Sequence, residues 1–123
     1  MTYTPDRNDL ILLDFEPTKG KEIGKYRPAL VLSSKAYSQS SGLLICCPIS
    51  TSIRHTPTEV AVNNLDKPSV VASNLIQTLD YKNRKVKFIS HAQKGVFEDV
   101  LVRLIPLLTG DDYLSKILHR TNT

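Results

Sequence analysis

Short apolar runs, separated by polar connections rich in turn-forming residues, make up roughly the first 90 residues of this chain. The runs lie at residues 9–14, 27–33, 43–49, 58–62, 69–72, 75–79 and 86–90. Apolar runs this short, bounded by proline, glycine, asparagine, aspartate or serine, are typical of β-strands. We therefore predict about five to seven short strands.

The spacing of the apolar residues changes after residue 95. They then recur at intervals of three and four, at Val96, Phe97, Val100, Leu101, Leu104, Leu107 and Leu108. This spacing predicts one amphipathic helix, whose last turn Pro106 should kink or weaken and which Gly110 should end. Strands followed by a single helix indicate a mainly β protein, a small antiparallel barrel or sheet closed by a C-terminal helix.

Length and composition limit the class of protein. A chain of 123 residues with 41% apolar and 23% charged residues fits one globular domain, which we place at residues 1–110. Residues 111–123 form a C-terminal extension with a possible short helix around residues 113–118. The longest apolar stretch, residues 43–49, is far below the ~20 residues of a membrane span. The polar N-terminus lacks a secretory signal, so we expect a cytoplasmic protein.

No motif in the sequence indicates a metal or a cofactor. His55, His91 and His119 are far apart, and neither a phosphate-binding loop nor a dinucleotide motif is present. Cys46 and Cys47 are neighbours on a predicted strand, so their side chains should point to opposite faces, one inward and one outward. We therefore predict neither a disulfide nor a metal site.

The distribution of charge indicates one positive face. Lysine and arginine number 16 against 12 acidic residues. Between residues 82 and 94 there are five basic residues and no acidic one, and the long polar connection at residues 15–26 adds lysines. Such a face is typical of a protein that binds a phosphate backbone, although a merely solvated surface would have the same composition.

Arg27 stands where the long connection meets the second strand, followed by Pro28, which favours extended backbone at Arg27. A guanidinium on such a rigid base can present a planar fork to a phosphate. Alternatively, Arg27 is structural and pairs with Glu16 or Glu22.

Three further residues have both a functional and a structural interpretation. The Ser50 hydroxyl, at the end of the third strand, could donate to a phosphate oxygen or simply form a turn. Phe15 and Tyr26 flank the long connection, where they could stack on bases or fill the core beneath the loop.

Residues 8–33, NDLILLDFEPTKGKEIGKYRPALVLS, resemble the opening of the MazF/PemK family of toxins. In that family a segment Gly-Asp, five residues, Phe/Leu-Asp-Pro-Thr-x-Gly-x-Glu leads into Arg-Pro-x-x-Val-Leu. The resemblance continues through CPISTS at residues 47–52, TEV at 58–60 and TLDYKNR at 78–84, and covers about residues 8–110.

The resemblance implies a small SH3-like, CcdB-like antiparallel barrel with a C-terminal helix, usually a homodimer. It implies a toxin whose endoribonuclease activity needs neither metal nor ribosome. Such toxins cut single-stranded mRNA at preferred short sequences, leave a 2′,3′-cyclic phosphate and a 5′-hydroxyl, and are neutralised by a cognate antitoxin protein.

Matched position by position, the family's catalytic residues correspond here to Arg27, Ser50 and Glu22. Arg27 would stabilise charge on the phosphate and protonate the leaving group, Ser50 would donate to the phosphate, and Glu22 is a weaker candidate for the base. We expect RNA contacts from Phe15, Lys19, Lys21, Lys25, Tyr26, Thr51, Arg54 and Gln77.

The sequence departs from the family at several positions. Asn8 replaces a glycine, residues 73–75 read Ser-Asn-Leu where many members have Ala-Asp-Gln, Gln77 replaces a basic residue, and Tyr81 replaces a tryptophan. The changes at residues 73–75 leave open an inactive member that still binds RNA. A second alternative is a non-enzymatic toxin that binds gyrase as CcdB-like relatives do, but those relatives lack the Arg-Pro pair, so the intact Arg27, Pro28 and Ser50 argue against it.

Overall fold

The computed structural model describes residues 3–17, 20–21, 24–110 and 116–119. These residues form a seven-stranded sheet with the helices α1 and α2. In chain order the elements are β1 (Asp9–Asp14), β2 (Tyr26–Val31), α1 (Lys35–Ser41), β3 (Leu43–Ser50), β4 (Glu59–Val62), β5 (Ser69–Ala72), β6 (Gln77–Asp80), β7 (Lys87–His91) and α2 (Val96–Thr109). A 3-10 turn at Ser73–Leu75 connects β5 to β6. Within the C-terminal extension, residues 116–119 are described and are helical.

The fold class predicted from the sequence is confirmed. All strand pairs are antiparallel, in the order β4-β5-β3-β2-β1-β7, with β6 paired to β3. The long strand β3 pairs with β6 along its first half, where Leu44 faces Leu79, and with β5 at its end, where Ser50 faces Val70. Because β3 pairs with β6 along its first half and with β5 at its end, the sheet curls into a half-barrel.

Helix α1 is absent from the sequence prediction. The Ser34 hydroxyl caps its start by accepting from Tyr37 N at 3.2 Å, and Gly42, with a φ of 76°, ends it. Of its seven residues only Ser38 is buried. A helix without an apolar face carries no periodic signal, so only its caps could have indicated it.

The sheet is covered on both faces, which corrects the prediction for the cysteines. One face packs Leu10, Leu30 and Cys47 with Val100 of α2. The other face packs a second cluster that contains Cys46. The two thiols do point to opposite faces, but both are fully buried and free, so neither is outward.

Helix α2 buries Val96, Val100 and Leu104 against the sheet and continues through Pro106 to Thr109. Gly110 ends it as predicted, with a φ of 69°. Leu107 and Leu108, which belong to the predicted apolar face, are 55% and 83% exposed, so the helix extends beyond the core that it covers. No helix in the described part of the chain combines the length and the apolar character that a membrane span requires.

Candidate active site

A polar cleft of about 450 Å³ lies where β3 and β5 end and β4 begins. Its lining comes from the long connection, the β3–β4 connection, the strand ends and the 3-10 turn. The lining residues are Lys21, Ser50, Ser52, Arg54, Thr56, Thr58, Glu59, Val70, Ala72, Asn74 and Leu75. We call this space the Ser50 cleft. It unites three of the site residues predicted from the sequence, namely Lys21, Ser50 and Arg54.

Ser50 is the last residue of β3 and is half-buried. Its Oγ accepts from Ser52 N at 3.0 Å, the local turn contact typical of a serine at a strand end. No described residue accepts a hydrogen bond from the Ser50 hydroxyl. The turn interpretation and the phosphate-donor interpretation are therefore compatible, because the accepted bond orients Oγ while its proton remains available.

Arg27 is half-buried in β2, where it faces Leu13 of β1. Its Nε donates to Gly24 O at 2.6 Å, and burial lowers the pKa of the guanidinium below its usual value. No described carboxylate forms an ion pair with Arg27, and Glu16 instead accepts from Lys25 N at 2.9 Å. The structural alternative in which Arg27 pairs with Glu16 is therefore wrong.

Strand pairing places Arg27 and Ser50 at the same end of the sheet. The register of the antiparallel strands β2 and β3 pairs Ala29 with Pro48. Arg27 lies two residues before Ala29, and Ser50 lies two residues after Pro48. Side chains two residues apart on a strand share a face, so the two residues also share a side of the sheet. Arg27 lies outside the lining of the Ser50 cleft itself.

The two aromatic residues of the long connection have different positions. Phe15 is 1% exposed and belongs to the second core cluster, so the prediction that it stacks on bases is wrong and the core interpretation holds. Tyr26 is 47% exposed, and its hydroxyl donates to Lys85 O at 3.0 Å. Lys19 and Glu22 lie outside the described residues.

Arg84 holds the base of the long connection. Its Nη1 donates to Asp14 O at 3.0 Å and to Glu16 O at 2.9 Å, and Arg84 O accepts from Asp14 N at 2.9 Å. The sequence identified Arg84 only as one residue of a basic run. Its structural role is to fix the start of the loop that ends at Arg27.

Two predicted RNA contacts lie away from the Ser50 cleft. Thr51 lines a separate space of about 420 Å³ together with Leu12 and Pro28. Gln77 is half-buried in β6 and faces Cys46 of β3. Neither residue lines the Ser50 cleft: Thr51 follows the end of β3 and faces the other space, and β6 pairs with the first half of β3, away from Ser50.

Glu59 is a cleft residue that sequence reasoning missed. Its carboxylate accepts from Arg54 N at 3.1 and 3.2 Å and from Thr56 N at 3.2 Å. These bonds to a charged acceptor fix the backbone of the β3–β4 connection. The only sequence signal was its place in the Thr-Glu-Val segment of the resemblance.

Asn74 is a second cleft residue without a predicted role in the site. It lies in the 3-10 turn, and its Oδ1 accepts from Thr58 Oγ1 at 3.3 Å. Because it is exposed and carries an amide, it can present hydrogen-bonding groups to a base.

Across the described residues, no three histidine, cysteine, aspartate or glutamate side chains are grouped as a metal site requires.

Comparison with known proteins gives consistent matches. A family model described as "PemK-like, MazF-like toxin of type II toxin-antitoxin system" matches residues 6–108. Endoribonuclease toxin MazF of Escherichia coli strain K12 is 35% identical over 82 residues, 67% of this chain and 74% of that protein. A crystal structure of MazF from Deinococcus radiodurans matches with a TM-score of 0.83 at 35% identity, covering 87% of this chain and 98% of that one.

A MazE–MazF complex from the same organism matches with a TM-score of 0.78 at 34% identity, covering 89% of this chain and all of that one. The family model spans nearly the whole described fold, and the architecture is that of these MazF structures. The chain therefore belongs to the PemK-like, MazF-like toxins of type II toxin–antitoxin systems.

Proposed function

We propose that this protein is the toxin of a toxin–antitoxin pair and acts as an endoribonuclease on single-stranded mRNA. The observation that carries the proposal is the state of Arg27, whose guanidinium is held by the Gly24 carbonyl and forms no ion pair with a described carboxylate. Arg27 lies at the same end of the sheet as Ser50. The similarity to proteins named endoribonuclease supports the same reaction.

The proposed reaction uses the RNA's own 2′-hydroxyl as nucleophile. The 2′-oxygen loses its proton to a base and attacks the adjacent phosphorus, while the bond from phosphorus to the 5′-oxygen breaks. The 5′-oxygen takes up a proton and leaves as a 5′-hydroxyl, and the other fragment retains a 2′,3′-cyclic phosphate. Negative charge develops on the phosphate oxygens between these two proton transfers, and this is where the protein must act.

Arg27 supplies the cation for that charge. Its Nε donates to Gly24 O, so Nη1 and Nη2, from which no described residue accepts, remain as the donors for the phosphate. Partial burial strengthens such a contact and, by lowering the pKa of the guanidinium, also favours proton donation to the leaving 5′-oxygen.

Ser50, at the end of β3, donates a hydrogen bond from its hydroxyl to a phosphate oxygen. Glu22 is our candidate for the base on the strength of the family motif. Lys21 and Arg54 line the Ser50 cleft, where their positive charges neutralise the phosphates of the bound RNA. Lys25 and Tyr26 are both exposed at the end of the long connection. The Lys25 ammonium can bind a phosphate there, and a base can stack on the Tyr26 ring.

The proposed partners are a cognate antitoxin protein and a second copy of the chain. Solved MazE–MazF complexes of a relative support the first. The exposed apolar end of α2, with Leu107 and Leu108, supports a homodimer, because large apolar side chains clustered on a surface are typical of interfaces. Action on mRNA implies the cytoplasm.

The test uses purified protein, long single-stranded RNA and EDTA. We expect site-selective cuts whose downstream fragments need no removal of a 5′-phosphate and whose upstream fragments end in a cyclic phosphate. Arg27→Ala should lower the cleavage rate by about 10²–10³-fold without unfolding the protein. Arg7→Ala, which removes an exposed arginine that lies over the Phe97 ring, is the matched control and should cleave normally.

Two outcomes would contradict the proposal. Cleavage that persists in Arg27→Ala would remove the assigned mechanism. A folded wild-type protein that cuts no RNA but still binds it would indicate the inactive RNA-binding alternative, and binding to gyrase instead would indicate the CcdB-like one.

A further inference from the structure

A second polar cleft lies on the side of the turn between β6 and β7. It has a volume of about 620 Å³ and is lined by Tyr3, Thr4, Gln39, Tyr81, Lys82, Lys85 and Val86. We call it the turn cleft. It shares no lining residue with the Ser50 cleft, and no role in the mechanism above uses it.

The turn cleft is positively charged. Lys82 and Lys85 are exposed, and neither forms an ion pair with a described carboxylate. The nearest acidic residue in the sequence, Asp80, uses its carboxylate inside the turn, where it accepts from Lys82 N at 2.9 Å and Asn83 Nδ2 at 2.6 Å. The two ammonium groups therefore have no described carboxylate partner, and an anion can bind them without displacing one.

Backbone contacts join the turn cleft to the candidate active site. The Tyr26 hydroxyl donates to Lys85 O at 3.0 Å, and Tyr26 immediately precedes Arg27. Arg84, between the cleft lysines, holds the start of the long connection through its bonds to Asp14 O and Glu16 O. The Tyr26–Lys85 contact therefore places the turn cleft beside the end of the long connection, and Arg84 fixes the start of that connection.

An aromatic wall borders the cleft. The Tyr3 ring packs against Phe88 with 5.4 Å between centroids, and the Tyr3 hydroxyl donates to the buried Asp9. Phe88 is 38% exposed and contacts the His91 ring edge-on, with 5.2 Å between centroids. Exposed rings beside unpaired lysines are the combination that binds single-stranded nucleic acid without sequence preference.

We propose that the turn cleft is a second contact site for the RNA strand, which binds backbone phosphates beyond the cleaved bond through Lys82 and Lys85. The proposal rests on the proposed function for the identity of the strand. RNA is favoured over an acidic peptide because Lys85 of the cleft contacts Tyr26, a proposed base contact, and because the Tyr3 and Phe88 rings lie at the border of the cleft. The site would give affinity for long RNA without adding sequence preference.

The test measures binding of RNA that cannot be cut. Fluorescein-labelled, fully 2′-O-methylated oligouridylates of 20 and 6 nucleotides lack the nucleophile, and anisotropy is recorded at several NaCl concentrations. In Lys82→Ala/Lys85→Ala we expect the 20-mer Kd to rise roughly tenfold. Its slope of log Kd against log salt should fall by about 1.4, since each phosphate contact contributes about 0.7. The Kd of the 6-mer should be unchanged.

Lys67→Ala/Lys94→Ala is the matched control, because it removes the same charge at two exposed lysines outside the turn cleft. It should leave the 20-mer Kd unchanged. The proposal is overturned if both double variants bind the 20-mer equally well, or if Lys82→Ala/Lys85→Ala weakens both oligonucleotides alike. It is also overturned if that variant keeps its RNA affinity but loses binding to a polyglutamate peptide, which would assign the cleft to a protein partner.

These outcomes are separate from those of the proposed function. Cleavage of ordinary RNA tests the activity, whereas binding of methylated RNA tests the turn cleft even if the wild-type protein cuts nothing.

Discussion

The Nε atom of Arg27 donates to the backbone carbonyl of Gly24 at 2.6 Å, so the long connection at residues 15–26 orients the guanidinium of the residue that follows it. This contact uses one of the five donors of an arginine and leaves the two terminal nitrogens for a ligand. The position of the cation is therefore set by backbone geometry instead of by a paired carboxylate, whose charge would compete with a phosphate.

Arg27→Lys should be nearly as inactive as Arg27→Ala although it keeps the charge. Lysine has no Nε–H for Gly24 O and no planar fork for the phosphate. We expect the single-turnover cleavage rate of a short RNA to fall by about 10²-fold or more. A variant that retains more than a tenth of the wild-type rate would mean that charge alone is sufficient.

Ser50→Thr should cleave RNA at close to the wild-type rate, whereas Ser50→Ala should be slower by about 10²-fold. Threonine keeps the hydroxyl that accepts from Ser52 N and donates to the phosphate. The same single-turnover assay distinguishes the two variants. Equal rates in both would show that the hydroxyl only forms a turn.

Glu59→Gln should weaken RNA binding and lower stability modestly. The amide has one oxygen to accept from Arg54 N and Thr56 N, and it carries no charge, so the β3–β4 connection should be held less firmly. We expect a loss of about 1–2 kcal/mol in the free energy of unfolding and a several-fold increase in KM. Urea denaturation and steady-state cleavage measure the two. An unchanged KM would show that the β3–β4 connection does not contribute to RNA binding.

Phe15→Ala should act on folding and Tyr26→Ala on RNA. Removing the buried Phe15 ring leaves a cavity and should cost about 3–5 kcal/mol of unfolding free energy. Tyr26 is half exposed, so its removal should change stability little and weaken RNA binding by about 1–3 kcal/mol. Thermal melts and anisotropy report each effect. The reverse pattern would contradict the assignment of Phe15 to the core.

Stability should fall with pH above about 8.5, because burial raises the pKa of Cys47 to about 12 and raises that of Cys46 as well. Unfolded thiols ionise above pH ~8.5 while the folded ones stay neutral, so this contribution is complete below that pH and is lost towards pH 12. From pH 8 to 10 we expect a loss of about 2 kcal/mol per thiol, measured by urea denaturation.

Cys46→Ala/Cys47→Ala is the control for the pH experiment, since tyrosine and lysine titrate in the same range. The double variant should have a flatter profile than the wild type. Identical profiles would contradict the burial of both thiols.

The strands and α2 could be predicted because each has an apolar pattern with its own period. Helix α1 could not, since a short polar helix depends on the caps at Ser34 and Gly42 and on its place against β3. The functional roles of the site residues stay predictions. Arg27 and Ser50 could be chosen by chemistry and motif, and the strand register places them at the same end of the sheet. The sequence could not show that Thr51 and Gln77 lie outside the Ser50 cleft, because that depends on how the strands and turns pack.

The strand-forming segments, the C-terminal helix and the family motif follow from the amino-acid sequence, because hydrophobic period and residue type are local properties. The burial of Phe15 and of both cysteines follows instead from the packing of both faces of the sheet. The packing also brings the Glu59 carboxylate to Arg54 N in the Ser50 cleft and Tyr26 to Lys85 O. Those contacts join residues distant in the chain, and they exist only when the curled sheet brings strand ends and turns together.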